Sequence, residues 1–363
     1  MRTLLAFLLI FLFSNIFSQD FSLVDSTINS AINDSIFPGA TVLIGNENGV
    51  LYKNAYGNFT YDKTSTKVKN NSIYDLASVT KAFGTNFCVM KLVDEGKLDI
   101  DKPVSYYIPE FSANGKENVK VVDLLIHESG LQAYYTPSKG ESKEHIIDTI
   151  KALKLSYETG FQTKYSCLNL ISTMFVIESI IKEPMYQFYA DNFSTPLKMD
   201  RTFFTPTDEM KKLCAPTTKE LRGVVHDPLA RGLKGLSGNA GLFSTTEDLS
   251  KLCQLLLNYG VYDGKRYLSK DVISKFIQRY SPQSSRAIGF DTRSNEGYSS
   301  SGNYFSPGTY GHLGYTGTSI WIDPVKKIYA IFLTNRVYPD DTKSIRSTRS
   351  DVYDSIVLSL EKN

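Results

Sequence analysis

The sequence is poor in the residues that bind metals or form redox pairs. Its 363 residues include only four cysteines and four histidines. No Cys-x-x-Cys or His-x-x-x-His pair occurs, and the cysteines match no zinc-site spacing. We therefore predict no metal ion and no cofactor, and we interpret the cysteines as free, mostly buried thiols: Cys88, Cys167, Cys214 and Cys253.

An excess of charge of one sign is also missing. Lys and Arg number 40 and Asp and Glu number 38, which gives a formal net charge of +2. Because no basic cluster is interleaved with aromatic residues, we predict no nucleic-acid partner. The hydrophobic fraction of 42% is ample for the core of a folded protein of this length.

Long hydrophobic runs are absent after the N-terminus. Arg2 precedes an apolar run from Leu4 to Phe13, which is too short to span a bilayer comfortably. We predict that residues 1–19 are a cleaved signal peptide, so that the mature protein is secreted or periplasmic and has no membrane span. A retained N-terminal anchor is the alternative.

The first candidate for chemistry is a Ser-x-x-Lys motif, Ser78 to Lys81. On a helix, residues three apart share a face with Cβ atoms about 5–6 Å apart, so the lysine amine can reach the serine hydroxyl. A lysine in that position can serve as the base that a serine nucleophile needs. The spacing alone is weak evidence, because Ser359 and Lys362 repeat it in the C-terminal tail.

The surroundings of the two motifs differ. The segment after Ser78 is apolar nearly all round, which predicts a buried helix that ends at Gly96. Ser78 would lie at its N-terminus, where free backbone N–H groups favour negative charge. Lys362, in contrast, is expected to stay in solvent at the end of a C-terminal helix.

The hydrophobic pattern predicts β-hairpins near both ends of the chain and a helical middle. The hairpins suggest one antiparallel sheet assembled from both ends. We expect the last helix of the middle to begin with a capping box made by Ser244 and Glu247. The expected strands are 40–44, 50–56, 318–322 and 328–333, and the expected helices are 21–36, 121–126, 145–155, 167–181 and 185–193.

Two further motifs follow the first. Tyr165, Ser166 and Cys167 stand directly before an apolar helix, and Gly311 to Gly314 includes His312 and leads into a strand. Glycines beside a strand allow another backbone or a ligand to approach closely. The spaced glycines between residues 232 and 241 lack the Gly-Lys-Ser/Thr ending of a phosphate loop, and we interpret them as a flexible loop that borders a cleft.

Taken in order, Ser-x-x-Lys, Tyr-Ser-x and His-x-Gly resemble the motifs of the penicillin-recognising serine hydrolases, the family of class C β-lactamases, D,D-peptidases and related esterases. The resemblance covers nearly everything after residue 19. It implies an α+β, β-lactamase/transpeptidase-like fold, with an antiparallel sheet flanked by helices and an inserted helical domain. We expect the sheet domain to comprise 20–100 and 265–363 and the helical domain 101–264.

The resemblance also implies roles for individual residues. Ser78 would be the nucleophile that accepts the acyl group, and Lys81 would take its proton. Tyr165 would pass a proton to the leaving group. The backbone N–H groups of Ser78 and Tyr315 would form the oxyanion hole. His312 and Gly314 would lie on the wall that receives the substrate's carboxylate or polar end.

Two departures from the family pattern bear on the substrate. Cys167 stands where many relatives have Asn or Asp, which disfavours recognition of β-lactams. His312 replaces a lysine, so attraction for a carboxylate should fade as the imidazole loses its proton near its reference pKa of about 6.5.

We therefore expect a secreted serine hydrolase that works through a Ser78 acyl-enzyme on D-amino-acid peptides, including peptidoglycan fragments, or on small esters. A short-chain esterase or transacylase without β-lactam recognition is one alternative. A binding module for wall peptides or β-lactams, acylated once or never, is the other.

Overall fold

The computed structural model describes residues 19–281 and 284–362. Apart from Gln19, the predicted signal peptide lies outside the described residues. Among these residues, every helix is too short or too polar to cross a membrane.

The strands are concentrated near the two ends of the chain. They are β1 Gly39–Asn46, β2 Gly49–Gly57, β3 Tyr74–Asp75, β4 Phe243–Ser244, β5 Val261–Tyr262, β6 Lys265–Arg266, β7 Asp291–Thr292, β8 Tyr310–Leu313, β9 Ser319–Asp323 and β10 Ile328–Thr334.

Six of these strands form one antiparallel sheet in the order β2-β1-β10-β9-β8-β7. Its centre joins the two ends of the chain, because β1 pairs with β10 from Ala40 opposite Thr334 to Asn46 opposite Ile328. The predicted sheet from both ends is therefore confirmed. β8, which carries His312, pairs with β9 and β7 near one edge of this sheet.

The helices flank the sheet and fill the middle of the chain. They are α1 Ser22–Asn33, α2 Asn86–Asp94, α3 Val104–Tyr107, α4 Val121–Leu125, α5 Lys143–Ala152, α6 Cys167–Ile181, α7 Met185–Tyr189, α8 Asp208–Lys211, α9 Pro228–Gly232, α10 Thr246–Leu257, α11 Lys270–Ile277 and α12 Arg346–Glu361. Two π-helical turns, Lys81–Thr85 and Ala190–Ser194, and a 3-10 turn, Pro109–Ser112, complete the set.

Both faces of the sheet are covered, and the alternation along β1 shows how. Val42 and Ile44 belong to one buried cluster with residues of α1 and α12. Leu43 points the other way and belongs to the larger cluster with α2, α6 and α10. Because side chains alternate between the faces of a strand, an apolar run such as Ala40 to Ile44 fits a strand that is buried on both sides.

The start of α10 differs from the prediction by one residue. Thr245 is the N-cap, and its hydroxyl accepts a hydrogen bond from the Asp248 amide at 3.2 Å. Ser244 instead pairs with Tyr74 between β4 and β3. The predicted Ser244–Glu247 capping box is therefore wrong, because the strand pairing holds Ser244 in the preceding strand.

The helical segment that follows Ser78 is buried, as its apolar pattern predicts. It starts with Val79, passes through the π-helical turn Lys81–Thr85 and continues as α2. Gly96 lies just past its end with φ +67°, the left-handed conformation that favours glycine. Ser78 therefore sits immediately before the first turn of a buried helix. The proposed division at residues 100 and 264 stays a prediction.

Candidate active site

The Lys81 ammonium lies in direct contact with Ser78. Its Nζ donates a hydrogen bond to Ser78 Oγ at 2.9 Å and another to the Asn239 carbonyl at 2.8 Å. The sulfur of Cys167 is 3.6 Å from the same nitrogen. Lys81 is only 1% exposed, so these neighbours hold its amine at one position beside the serine hydroxyl.

The backbone before Ser78 is held in an unusual conformation. Ala77 has φ +46°, which is costly for a residue with a Cβ atom. The buried Asp75 carboxylate accepts hydrogen bonds from the Ala77 amide at 2.9 Å and from the His226 amide at 2.7 Å. Burial raises the pKa of Asp75 to about 6. Asp75 thus links the segment before Ser78 to the loop that carries His226.

Tyr165 lies just before α6 and is surrounded by cationic and imidazole groups. Its ring centroid is 4.9 Å from Lys81 Nζ and 5.3 Å from the Arg286 guanidinium. The ring of His127 lies 4.6 Å from it, centroid to centroid. With 36% exposure, Tyr165 borders both the buried lysine and open space.

His127 supports the segment that carries Tyr165. It is 2% exposed, and its Nδ1 accepts a hydrogen bond from the Ser166 amide at 3.1 Å. Burial lowers the pKa of His127 well below its ordinary value, so the ring is neutral and can accept at Nδ1. The histidine therefore helps to position the Tyr165 backbone and ring.

The protonation states of the two central groups follow from their surroundings. Burial opposes the charge on Lys81, but its interactions with Cys167 and Tyr165 raise the pKa of the amine above its ordinary value. Desolvation raises the pKa of the Tyr165 phenol, although the Lys81 charge acts in the opposite direction. At neutral pH the resting site therefore contains an ammonium and a protonated phenol.

The turn from Gly314 to Thr318 is fastened to the segment before Ser78. Thr316 Oγ1 donates to the Asp75 carbonyl at 2.7 Å, and Thr318 Oγ1 donates to the Leu76 carbonyl at 2.9 Å. A Cβ atom on Gly314 would lie 2.4 Å from the Leu76 oxygen, so only glycine permits this approach. Within the part of the chain that the structure describes, the amides of Ser78 and Tyr315 donate no backbone hydrogen bond.

Arg349 of α12 binds the backbone of the same turn. Its guanidinium donates to the carbonyls of Gly314 and Thr318 at 2.5 and 3.0 Å. Burial lowers the pKa of Arg349 to about 10, which still leaves it charged at neutral pH. A charged donor thus bridges the two ends of the turn that presents Tyr315.

The charge on the His312 ring differs from the expectation. It is 3% exposed, and burial lowers its pKa to about 4. Its Nδ1 lies 2.8 Å from the Leu313 carbonyl, and because a carbonyl only accepts, Nδ1 carries the proton. The expectation that His312 loses its charge near pH 6.5 is therefore wrong, since burial keeps the ring neutral at that pH.

A cavity of about 470 Å³ opens over Ser78. Its walls are largely apolar or aromatic, and the rings of His226 and Tyr315 stack there with centroids 5.9 Å apart. Among the described residues that line it there is no Lys or Arg, and Asp227 is the only carboxylate. The lining residues are Ala77, Ser78, Tyr134, Thr136, Tyr165, Cys167, His226, Asp227, Pro228, Ala240 and Tyr315.

The glycine-spaced segment between residues 232 and 241 is packed tightly, so its interpretation as a flexible loop is wrong. A Cβ atom on Gly238 would lie 2.1 Å from the Leu170 carbonyl oxygen, and one on Gly241 would lie 2.4 Å from that of Gly235. These glycines allow close backbone approach, which brings the Asn239 carbonyl to Lys81. The sequence reasoning missed Asn239, although the glycine spacing could have indicated such packing.

Of the four cysteines, Cys167 is among the described residues that line the cavity over Ser78. Cys88, Cys214 and Cys253 are buried, and all four cysteines are free. Among the residues that the structure describes, no group of three or more His, Cys, Asp or Glu side chains is arranged to hold a metal ion. The groups that the structure places beside Ser78 include the Lys81 amine, the Tyr165 phenol and the Cys167 thiol.

The six-stranded antiparallel sheet, the helices on both of its faces and the contact between Lys81 and Ser78 define a serine hydrolase of the β-lactamase/transpeptidase class. The chain belongs to the beta-lactamase family, whose model matches residues 24–353.

Similar proteins include both curated sequences and solved structures. A Salmonella agona (strain SL483) protein named "Putative D-alanyl-D-alanine carboxypeptidase" is 32% identical over 346 residues, which cover 84% of this chain and 80% of the relative. A penicillin-binding protein homolog from Caulobacter crescentus superimposes with a TM-score of 0.77 at 18% identity, covering 93% of this chain and 97% of the other.

A second solved structure is EstCE1, described as a hydrolase with promiscuous acyltransferase activity. It has a TM-score of 0.73 at 21% identity, and the match covers 93% of this chain and 99% of that one. At these identities the two structures show a shared fold.

Proposed function

We propose that the protein is a D,D-carboxypeptidase-type hydrolase that forms an acyl-enzyme at Ser78. The observation that carries this proposal is the 2.9 Å hydrogen bond from Lys81 Nζ to Ser78 Oγ, which places a proton acceptor beside a hydroxyl once the amine is neutral. The relatives named for D-alanyl-D-alanine carboxypeptidase activity, at 32% identity over most of the chain, support the peptide substrate.

Acylation would use groups that already surround Ser78. With Lys81 neutral, its Nζ takes the hydroxyl proton as Ser78 Oγ forms a bond to the substrate carbonyl carbon. The amides of Ser78 and Tyr315 would stabilise the oxyanion, since neither is occupied by a backbone acceptor in the described chain. Tyr165 would protonate the leaving amine as the C–N bond breaks, and Lys81 would return the proton to the phenol.

Deacylation would retrace these steps with water in place of the leaving amine. The water oxygen attacks the Ser78 ester, a proton passes to the tyrosine and lysine pair, and Ser78 Oγ leaves with a proton returned to it. The products are the shortened acid and the free enzyme, and no cofactor enters the balance.

Hydrolysis of small neutral esters is a second candidate function. The cavity over Ser78 supports it, because its walls are largely apolar and its described lining residues include no Lys or Arg that could bind a charged acyl group. Cys167 also favours an ester substrate, since a thiol cannot make the contacts to a peptide amide that an Asn or Asp side chain makes.

We also propose that the protein acts outside the cytoplasm after removal of residues 1–19. The apolar run after Arg2 and the lack of a later spanning helix among the described residues support this proposal. N-terminal sequencing of the protein recovered from its native host would test it.

Intact-mass measurement tests the proposed nucleophile. The protein would be incubated separately with an acyl-D-Ala-D-Ala peptide, a penicillin and an activated neutral ester, beside Ser78→Ala and Ser359→Ala. Ser359 repeats the Ser-x-x-Lys spacing, and its hydroxyl is buried without a hydrogen-bond partner in the described chain, so its loss should be harmless. We expect an acyl adduct in the wild type and in Ser359→Ala.

The adduct should be missing in Ser78→Ala. Peptide hydrolysis with an adduct at Ser78 supports the carboxypeptidase, and adducts from esters alone support the esterase. A persistent penicilloyl adduct without peptide turnover would favour a binding module. An adduct that survives in Ser78→Ala would refute the assignment of the nucleophile.

A further inference from the structure

A second cavity, of about 320 Å³, lies beside α8 and α9. We call it the α9 cavity, and it shares no described lining residue with the cavity over Ser78. The two are nevertheless neighbours, because residues 223–225 line the α9 cavity and residues 226–228 line the other. Its volume is at the lower end of the range for small-molecule sites. None of the steps proposed for Ser78 involves this cavity.

The charged side chains around the α9 cavity are all of one sign. Lys211, Arg231 and Lys234 line it, and its described lining includes no Asp or Glu. Lys211 is already paired, since its Nζ lies 2.8 Å from a carboxylate oxygen of Asp208. Within the described part of the chain, neither Arg231 nor Lys234 has an ion-pair partner. Two cations without a counter-charge therefore border one cavity.

One nitrogen of the Arg231 guanidinium is bound to the protein backbone. Nη1 donates to the Val225 carbonyl at 2.9 Å and to the His226 carbonyl at 2.5 Å. Among the residues that the structure describes, Nε and Nη2 have no acceptor. A guanidinium is a planar group with five N–H donors, so an anion can bond Nε and Nη2 side by side. The two bonds from Nη1 position these donors before a ligand binds.

Lys234 follows α9 in a backbone conformation that a lysine rarely adopts. Its φ is +60°, in the left-handed region, and Gly235 continues the turn with φ +78°. A residue with a Cβ atom pays a free-energy cost for this conformation. The Lys234 amide donates to the Arg231 carbonyl at 2.8 Å, so one turn carries both cations. The turn therefore keeps the exposed Lys234 beside Arg231 at the same cavity.

Apolar side chains form much of the remaining wall of the α9 cavity. Phe204, Val225 and Phe243 line it and are at most 4% exposed. Val224 also lines it and is 39% exposed, so it offers apolar surface that a ligand can cover. A ligand that fits this cavity therefore combines negative charge with an apolar body.

Two other cavities lack this combination. A cavity beside α5 and α6 is lined by two glutamates as well as by two lysines, so its charges compensate one another. A cavity between α1 and α12 is lined by Asp34 and Asp351, and its described lining includes no Lys or Arg. Neither attracts an anion as the α9 cavity does.

We propose that the α9 cavity is a second ligand site, for a small organic anion with a compact apolar body. The anionic group, a carboxylate or a phosphate monoester, bonds Nε and Nη2 of Arg231 and pairs with the Lys234 ammonium. The apolar body lies against Val224 and the neighbouring apolar wall. Because Arg231 also binds the carbonyl of His226, the ligand acts on a residue that lines the cavity over Ser78. This inference goes beyond the proposed function, since no part of it depends on acylation of Ser78.

Calorimetric titration tests the second site. The protein would be titrated at low ionic strength with phenylacetate, with phenyl phosphate and with the neutral analogue phenylacetamide. We expect at least one of the two anions to bind with a Kd of about 1 mM or below. Phenylacetamide should bind at least about tenfold more weakly, because it lacks the charge. A lower Kd for phenyl phosphate would assign the site to phosphate monoesters, and a lower Kd for phenylacetate would assign it to carboxylates.

Variants locate the bound anion. Lys234→Asn removes one charge, and asparagine tolerates the left-handed backbone, so the Kd should rise about fivefold or more. Val224→Asp places a carboxylate beside the two cations and should abolish measurable binding. Lys198→Asn is the matched control, because Lys198 is also exposed and left-handed, with φ +53°, but does not line the cavity. Its Kd should change by less than about twofold.

Thermal unfolding of each variant would show whether it is folded. No measurable binding of either anion, or equal binding of phenylacetamide, would overturn the proposal. A Kd that stays unchanged in both Lys234→Asn and Val224→Asp would overturn it as well, because the anion would then bind elsewhere. An equal rise in Lys198→Asn would show that net charge alone matters, with the same consequence. Labelling of Ser78 enters none of these results, so the second site and the proposed function are tested separately.

Discussion

Cys167 Sγ lies 3.6 Å from Lys81 Nζ, the nitrogen that also bonds Ser78. The thiol lines the cavity over Ser78, whereas Cys88, Cys214 and Cys253 are buried. A group attached to this sulfur would occupy the space beside Ser78. The position that departs from the family pattern therefore gives this site a thiol within reach of small reagents.

Alkylation should separate Cys167 from the other thiols. We expect iodoacetamide to add one carbamidomethyl group to the native protein, at Cys167, because the other three cysteines are buried and Cys167 lines the cavity. The added group should abolish ester hydrolysis, since it would fill the space beside Ser78. Peptide mapping would identify the site. Cys167→Ser should stay active and unlabelled, and activity that persists in the singly modified wild type would contradict the prediction.

The rate of acylation should rise with pH. The pKa of Lys81 is raised, so the neutral amine that can accept the Ser78 proton is a minor form at neutral pH. Below the pKa of a required base, kcat/KM grows about tenfold per pH unit, and we expect this slope from about pH 7 to about pH 9. The raised pKa of Tyr165 keeps the phenol protonated over that range.

This pH profile would be measured as the rate of hydrolysis of a neutral ester, after subtraction of the rate obtained with Ser78→Ala. A plateau or a falling limb between pH 7 and 9 would show that some other group limits the reaction.

Much of the fold could be predicted from local patterns. The runs that predict the two hairpins correspond to β1, β2, β9 and β10. The apolar segment after Ser78 forms the buried helix that its pattern predicts. These features depend on periodicity within about ten residues, which the sequence displays directly. The capping residue of α10 was missed because Ser244 and Thr245 are both good caps, and only the pairing of β3 with β4 decides between them.

The composition of the site was harder to predict, because it depends on contacts between distant segments. Ser78 stands immediately before the first helical residue and Lys81 lies three residues further on, so their approach follows from the spacing. The Asn239 carbonyl reaches Lys81 only through packing of the glycine segment against α6, and Arg286 reaches Tyr165 from beside the sheet edge. The neutral state of His312 likewise follows from burial, which no local pattern around Gly311 reveals.

Asp75 should make the protein more stable as the pH falls toward 4. Its pKa in the folded chain, about 6, exceeds the ordinary value of 3.8, so between these values the folded state binds a proton that the unfolded state does not. The ionised carboxylate should therefore cost up to about 3 kcal/mol of unfolding free energy at pH 7, a cost that protonation removes.

Urea unfolding of the wild type and Asp75→Asn at pH 7 and pH 4 would measure this contribution. The wild type should gain stability relative to the variant at the lower pH, because other carboxylates titrate alike in both proteins. An equal stability difference at the two pH values would contradict the prediction.

Arg349 should affect turnover without touching the substrate. Its guanidinium holds the carbonyls of Gly314 and Thr318, and the turn between them presents the Tyr315 amide. Arg349→Met leaves both carbonyls without their charged donor, so we expect the free energy of unfolding to fall by about 2–4 kcal/mol. A loosened oxyanion donor lowers kcat more than it changes KM, here by about tenfold or more.

Arg346→Met is the matched control, since Arg346 is an exposed residue of the same helix whose guanidinium stacks on Tyr298. Steady-state kinetics on a neutral ester, at a temperature where both variants are folded, would separate turnover from stability. If Arg349→Met lost stability but kept its kcat, the guanidinium would serve packing alone. A fall in kcat confined to Arg349→Met would instead tie the anchoring of the Gly314–Thr318 turn to the stabilisation of the oxyanion.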